Sequence, residues 1–126
     1  MKKITLLLSF FAVLRGWSPL LGQGHPALSI SHLTGPLYIY TTYGLAGGVP
    51  FPANGLYLVT DQGAVLIDAP WDTTQVQPLL DSIEQKHHQK VVLSLSTHFH
   101  DDRTAGIPSL RAKGVKSKKY GRERSG

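Results

Sequence analysis

The 126 residues contain no cysteine. That excludes a disulfide framework and any thiolate metal ligand. Charge is sparse at 17%, against 41% hydrophobic residues. This balance excludes wholesale disorder and fits one globular domain. Long apolar runs are scarce as well. The exception is Ile4–Leu14, which follows Lys2 and Lys3. It is too short to span a bilayer and predicts a secretory signal over residues 1–22, cleaved after Leu20-Leu21-Gly22. The expected location is periplasmic or secreted. With no cysteine at the cleavage point, no lipid anchor and no membrane association after cleavage are expected.

A basic face is also missing. The formal charge is +5, but Lys2, Lys3 and Arg15 lie in the signal, and residues 118–126 carry four basic residues against Glu123. Between Gln23 and Ser117 six Lys/Arg stand against seven Asp/Glu, a net of −1. Nucleic-acid binding needs a basic surface within the fold, so none is expected. KKYGRERSG, residues 118–126, has no apolar periodicity and predicts a disordered basic tail.

What is present alternates between strand and helix chemistry, with no internal repeat. Leu28–His32 is a weak strand candidate and Leu37–Thr42, rich in Tyr and β-branched residues, a stronger one. Gly44–Pro52 (GLAGGVPFP) reads as loop. Leu56–Thr60 and Ala64–Ile67 flank Asp61-Gln62-Gly63 as a hairpin. Asp72 is the expected N-cap of a helix whose Val76, Leu79, Leu80 and Ile83 share one stripe, with Pro78 in its first turns. Val91–Ser96 predicts a strand covered on both faces. Ala105–Lys113 predicts a short helix, and Gly114–Lys116 the start of another strand. His25, His32 and the pair His87-His88 carry no metal signature. The latter pair is expected to be an exposed helix end, and Trp71 a packing residue.

Ser96–Arg103, STHFHDDR, leaves a strand end, where α/β proteins build sites. Two imidazoles two residues apart and a carboxylate two further on suit a borderline-soft cation, bound at about 2.0–2.2 Å. His98 and His100 would share a face, and Asp102 would reach a neighbouring ion.

This segment resembles the HxHxD zinc motif of the metallo-β-lactamase superfamily. Most superfamily hydrolases have histidine after the aspartate. Arg103 there resembles the class B metallo-β-lactamases of the first subclass, flavobacterial type. LYIYTTYG at 37–44, ANGLYLVTDQGAVLIDAPW at 53–71 and KVVLSLSTHFHDDRTAG at 90–106 agree. The resemblance covers roughly Leu37–Ser117.

The resemblance implies an α/β fold, the N-terminal αβ half of a four-layer αβ/βα sandwich, as a partial domain over residues 23–117. It implies two Zn²⁺ in the intact site, with His98 and His100 on the first and Asp102, the catalytic carboxylate, on the second. The remaining ligands, two histidines and a cysteine, would come from the other half. It implies Asp68 and Arg103 as supporting residues: Asp68 would orient the metal loop, or cap a strand end, and Arg103 would counter Asp101 and Asp102, or be a salt-bridged surface residue. Gly44, Gly47, Gly48 and Phe51 would belong to a mobile flap over the substrate, or to a plain hairpin turn. The implied activity is hydrolysis of β-lactam antibiotics by a monomer. With an incomplete ligand set, weak zinc binding and no turnover are expected of this chain alone. The alternatives are a non-catalytic zinc-binding remnant and a superfamily hydrolase of thioesters or phosphoesters.

Overall fold

The structure, a computed structural model, describes residues 26–119. The signal expected over residues 1–22, His25 and residues 120–126 lie outside the described residues. Six strands run in sequence order across one sheet: β1 (Ser29–Thr34), β2 (Leu37–Ala46), β3 (Val49–Thr60), β4 (Gly63–Ile67), β5 (Val91–Ser96) and β6 (Lys116–Lys119). The first four form an antiparallel meander, while β5 and β6 are parallel to β4. Parallel neighbours need crossovers, and helices provide them. Helix α1 (Val76–His87) links β4 to β5, and α2 (Asp101–Thr104) with α3 (Ile107–Ala112) links β5 to β6. No helix of the described residues is long and apolar enough to cross a membrane.

The α/β reading holds, with three local corrections. Gly44–Pro52 is the far end of a hairpin rather than a loop: β2 and β3 pair as far as Ala46 and Val49. Only Gly47 and Gly48 turn the chain, at φ 59° and 81°, the left-handed backbone that glycine adopts without a Cβ penalty. Asp72 caps a single 3₁₀ turn, Thr73–Gln75, by accepting from the Thr74 N–H at 2.8 Å, and α1 follows from it. Lys118 and Lys119, expected in the disordered tail, are the last two residues of β6, where parallel pairing with Leu95 and Ser96 supplies order that apolar patterning does not.

Sheet register separates two faces, since paired residues on adjacent strands point the same way. Tyr38, Tyr57, Leu66, Ser94 and Ser117 lie along one row. That face packs under α1 and α3, and Tyr57, Leu66, Val76, Leu79, Ile83, Leu110 and Ile107 form the core. The opposite face carries Leu37, Leu58, Val65 and Leu93 in one row and Ile39, Leu56, Ile67 and Leu95 in the next. None of these eight is fully buried, and Leu95 is 38% exposed. β5 was expected to be covered on both sides; among the described residues it is covered on one.

Candidate metal centre

β5 ends at Ser96, and residues 97–100 turn directly into α2. His98, His100 and Asp102 each aim one ligand atom into the same space, all within 4.8 Å of one another. The two imidazoles stand nearly perpendicular, ring centres 4.8 Å apart. Phe99 lies between them in sequence and is 80% exposed. The turn is anchored from below. The Ala69 N–H donates to the Arg103 carbonyl at 2.9 Å, tying α2 to the end of β4. Thr104 Oγ1 donates to the His100 carbonyl at 3.0 Å. Gly106 sits so close to Pro70 that a Cβ would lie 2.6 Å from the Pro70 oxygen.

Asp68 is buried at the end of β4 with φ 71°, a left-handed backbone rare outside glycine. Its carboxylate accepts from the Thr97 N–H at 2.8 Å and from the Thr97 hydroxyl at 2.9 Å. Thr97 Oγ1 lies 2.9 Å from His98 Nδ1. The buried carboxylate thus reaches one imidazole through a single hydroxyl. Metal-bound histidines are commonly oriented by such a partner on the other ring nitrogen.

Arg103 contacts two carboxylates, Asp102 at 3.2 Å and Asp68 at 3.8 Å, and its guanidinium also donates to the Asn54 carbonyl on β3. The expected partner Asp101 makes no ion pair with it among the described residues; Asp101, the first residue of α2, is exposed. His100, Asp102 and Arg103 face Phe51, Pro52 and Trp71 across an open cleft of about 420 Å³. Trp71, expected only to pack, also lines this cleft. Of the expected flap residues, Phe51 is on β3 at 57% exposure and lines the cleft, while Gly47 and Gly48 form the hairpin turn. Gly44 serves packing instead: a Cβ there would clash with the Trp71 indole.

No protein-family profile matches the chain. The metallo-β-lactamase type 2 of Elizabethkingia meningoseptica is 40% identical over 96 residues, 76% of this chain and 39% of that protein. Metallo-β-lactamase IND-1 of Chryseobacterium indologenes is 44% identical over 81 residues, 64% of this chain and 34% of that protein. The crystal structure of metallo-β-lactamase IND-7 matches with a TM-score of 0.65 and 42% identity, over 71% of this chain and 42% of that one. The chain is a partial metallo-β-lactamase. It spans 39% and 34% of the length of those two curated relatives.

The metallo-β-lactamases are metal-dependent, and this chain brings a His-His-Asp group together at the end of β5. Sequence reading missed Thr97 and Asn54, which hold Asp68 and Arg103. Thr97 stands beside the first histidine of the motif, and that adjacency was the available signal. Asn54 acts through its main-chain oxygen, which leaves no mark on side-chain type.

Proposed function

We propose that this chain carries one part of the zinc site of a secreted β-lactam hydrolase. His98 and His100 serve a first zinc and Asp102 a second. The observation that carries this is the convergence of the three ligand atoms within 4.8 Å at a strand end, in a chain 40–44% identical to metallo-β-lactamases. Two imidazole nitrogens and a carboxylate oxygen are the donor types zinc takes, so the residues present fit it. When bound, zinc supplies Lewis-acid polarisation and a nucleophile at neutral pH. The chain's own residues do the rest. Asp68 and Thr97 orient His98, Arg103 holds Asp102, and Trp71, Phe51 and Pro52 wall the cleft where an apolar substrate face would rest.

The 126 residues contain no cysteine and no histidine beyond His100. A catalytic zinc normally takes three protein ligands plus water, and this chain offers the first zinc two. It therefore binds zinc weakly and turns over no β-lactam by itself. Zinc titration calorimetry of the chain and of His98→Ala, followed by a chromogenic cephalosporin assay with added zinc, tests both parts. Binding that His98→Ala abolishes, without turnover, is the expected result. Zinc-dependent turnover overturns the incomplete-site reading, and identical titrations of both proteins overturn the metal assignment. Export rests on Lys2, Lys3 and Ile4–Leu14, and N-terminal sequencing of the expressed protein should find Gln23 first.

A further inference from the structure

Tyr40 lies on β2, two strands away from β4, and its side chain is 1% exposed. A buried phenol must place its hydroxyl on a partner. Here the partner is the main-chain carbonyl of Asp68, at 2.6 Å. To reach it the ring has to cross β3. The residue paired with Tyr40 on β3 is Gly55, and a Cβ there would clash with the phenol ring and its hydroxyl. The glycine leaves the face of β3 open at that point, and the tyrosine ring lies across it.

What the hydroxyl holds is unusual. Asp68 is one of two non-glycine residues with positive φ among the described residues, and such backbone persists only where its surroundings enforce it. The Asp68 N–H donates to the Leu95 carbonyl at 2.7 Å, and its carbonyl accepts from Tyr40. With both main-chain polar groups held, the Cα–Cβ bond direction is set as well. That direction carries the carboxylate onto the N–H and hydroxyl of Thr97, and Thr97 onto His98 Nδ1.

We propose that Tyr40, admitted by Gly55, is a positioning residue for the metal centre: its hydroxyl locks the backbone of Asp68 so that the carboxylate can set Thr97 and, through it, the His98 imidazole. The inference rests on the metal reading above. Burial, and next the nearby Asp68 charge, hold the phenol above its ordinary range, so at neutral pH it stays protonated and can donate.

The test uses the 126-residue chain with Co²⁺ alone as the visible probe, comparing Tyr40→Phe, Asp68→Asn, the double variant and His98→Ala. Tyr40→Phe keeps the ring and removes one oxygen. Its Co²⁺ affinity should fall about tenfold, the lower end of what an outer partner of a ligand contributes. The double variant should bind no more weakly than Asp68→Asn alone, because both act through one carboxylate. Hydrogen exchange at the Thr97 amide should quicken in Tyr40→Phe while core amides such as Leu66 and Leu79 stay protected. Unchanged affinity and unchanged Thr97 exchange overturn the proposal, as do additive losses in the double variant. If the parent chain binds Co²⁺ no better than His98→Ala, the metal reading fails, and the Thr97 exchange rate alone decides the role of Tyr40. Should Tyr40→Phe not fold, NMR of the parent decides: a slowly exchanging Tyr40 hydroxyl proton supports the proposal, and its absence overturns it.

Discussion

Thr97 has one hydroxyl proton and two neighbours within 3 Å of its oxygen, Asp68 at 2.9 Å and His98 Nδ1 at 2.9 Å. A carboxylate only accepts, so the proton goes to Asp68 and the oxygen must accept from the imidazole. This fixes His98 as the Nδ1–H tautomer and leaves the Nε2 lone pair for a metal. The expectation is that ¹⁵N NMR of the metal-free chain finds His98 in that tautomer. Thr97→Val keeps the shape and deletes the relay; zinc affinity measured by calorimetry should drop about 10- to 100-fold, and stability in urea should fall by about 1 kcal/mol. A parental affinity in Thr97→Val would show that the hydroxyl plays no part. His87 is a second residue with a readable consequence. It was expected to be a bare helix end; instead its Nε2 lies 3.0 Å from the Tyr57 hydroxyl, and its ring packs on Tyr38 at 4.5 Å. Burial, then the Lys86 charge, lowers its pKa below the ordinary 6.5. Burial, and then Tyr38, pushes the Tyr57 phenol up to about 12, which keeps it a donor. In the window below 6.5 the unfolded chain therefore holds more protons at this site than the folded one, so stability is full above that pH and declines as pH falls through it. Melting temperature should drop modestly from about pH 7.5 to about pH 5.5, and His87→Gln should flatten the slope. An unchanged slope in that variant would remove His87 from the account.

The elements show what a sequence can and cannot announce. α1 was legible because Val76, Leu79 and Ile83 repeat at helical spacing and nothing in the tertiary structure opposes them. The strands were legible from β-branched and aromatic runs, and the metal ligands from residue type and spacing. Two elements were misread for the same physical reason: pairing decided them. GLAGGVPFP has the composition of a loop, yet the ladder from Leu37–Leu58 continues through Leu45–Pro50 and keeps it extended. Lys118 and Lys119 bring no apolar side chain to bury, yet β5 presents free main-chain groups that a polar strand satisfies equally well. The anchoring of α2 was equally silent, because it depends on main-chain oxygens and on space. Gly106 makes that space, and its φ of −74° is open to any residue, so only the contact with Pro70 forbids a side chain. Gly106→Ala should lose about 1–3 kcal/mol in urea unfolding and weaken zinc binding, since α2 carries Asp102. A variant as stable as the parent would mean that α2 can shift without strain.

Across the whole molecule, the unequal treatment of the two sheet faces governs solution behaviour. One face is sealed by α1 and α3 around fully buried Tyr57, Leu66, Leu79 and Leu110. The other presents Leu37, Ile39, Leu56, Leu58, Val65, Ile67, Leu93 and Leu95 in two continuous rows with no layer over them among the described residues. Contiguous apolar surface of this kind promotes association or dye binding in an isolated chain. At the β6 edge the same two rows end in Lys116 and Lys118, paired with Leu93 and Leu95. Placing glutamates at 93 and 95 therefore sets two carboxylates opposite two lysines, a cross-strand pairing that is neutral to mildly stabilising. The parent chain should bind an apolar dye such as ANS, and its weight-average mass in sedimentation velocity should rise with concentration. Leu93→Glu/Leu95→Glu should lower both signals while leaving the melting temperature within a few degrees, because neither leucine belongs to the core under α1. A parent that sediments as a monomer at every concentration and binds no dye would show that the two rows are screened in solution, and the reading of an open apolar face would fall.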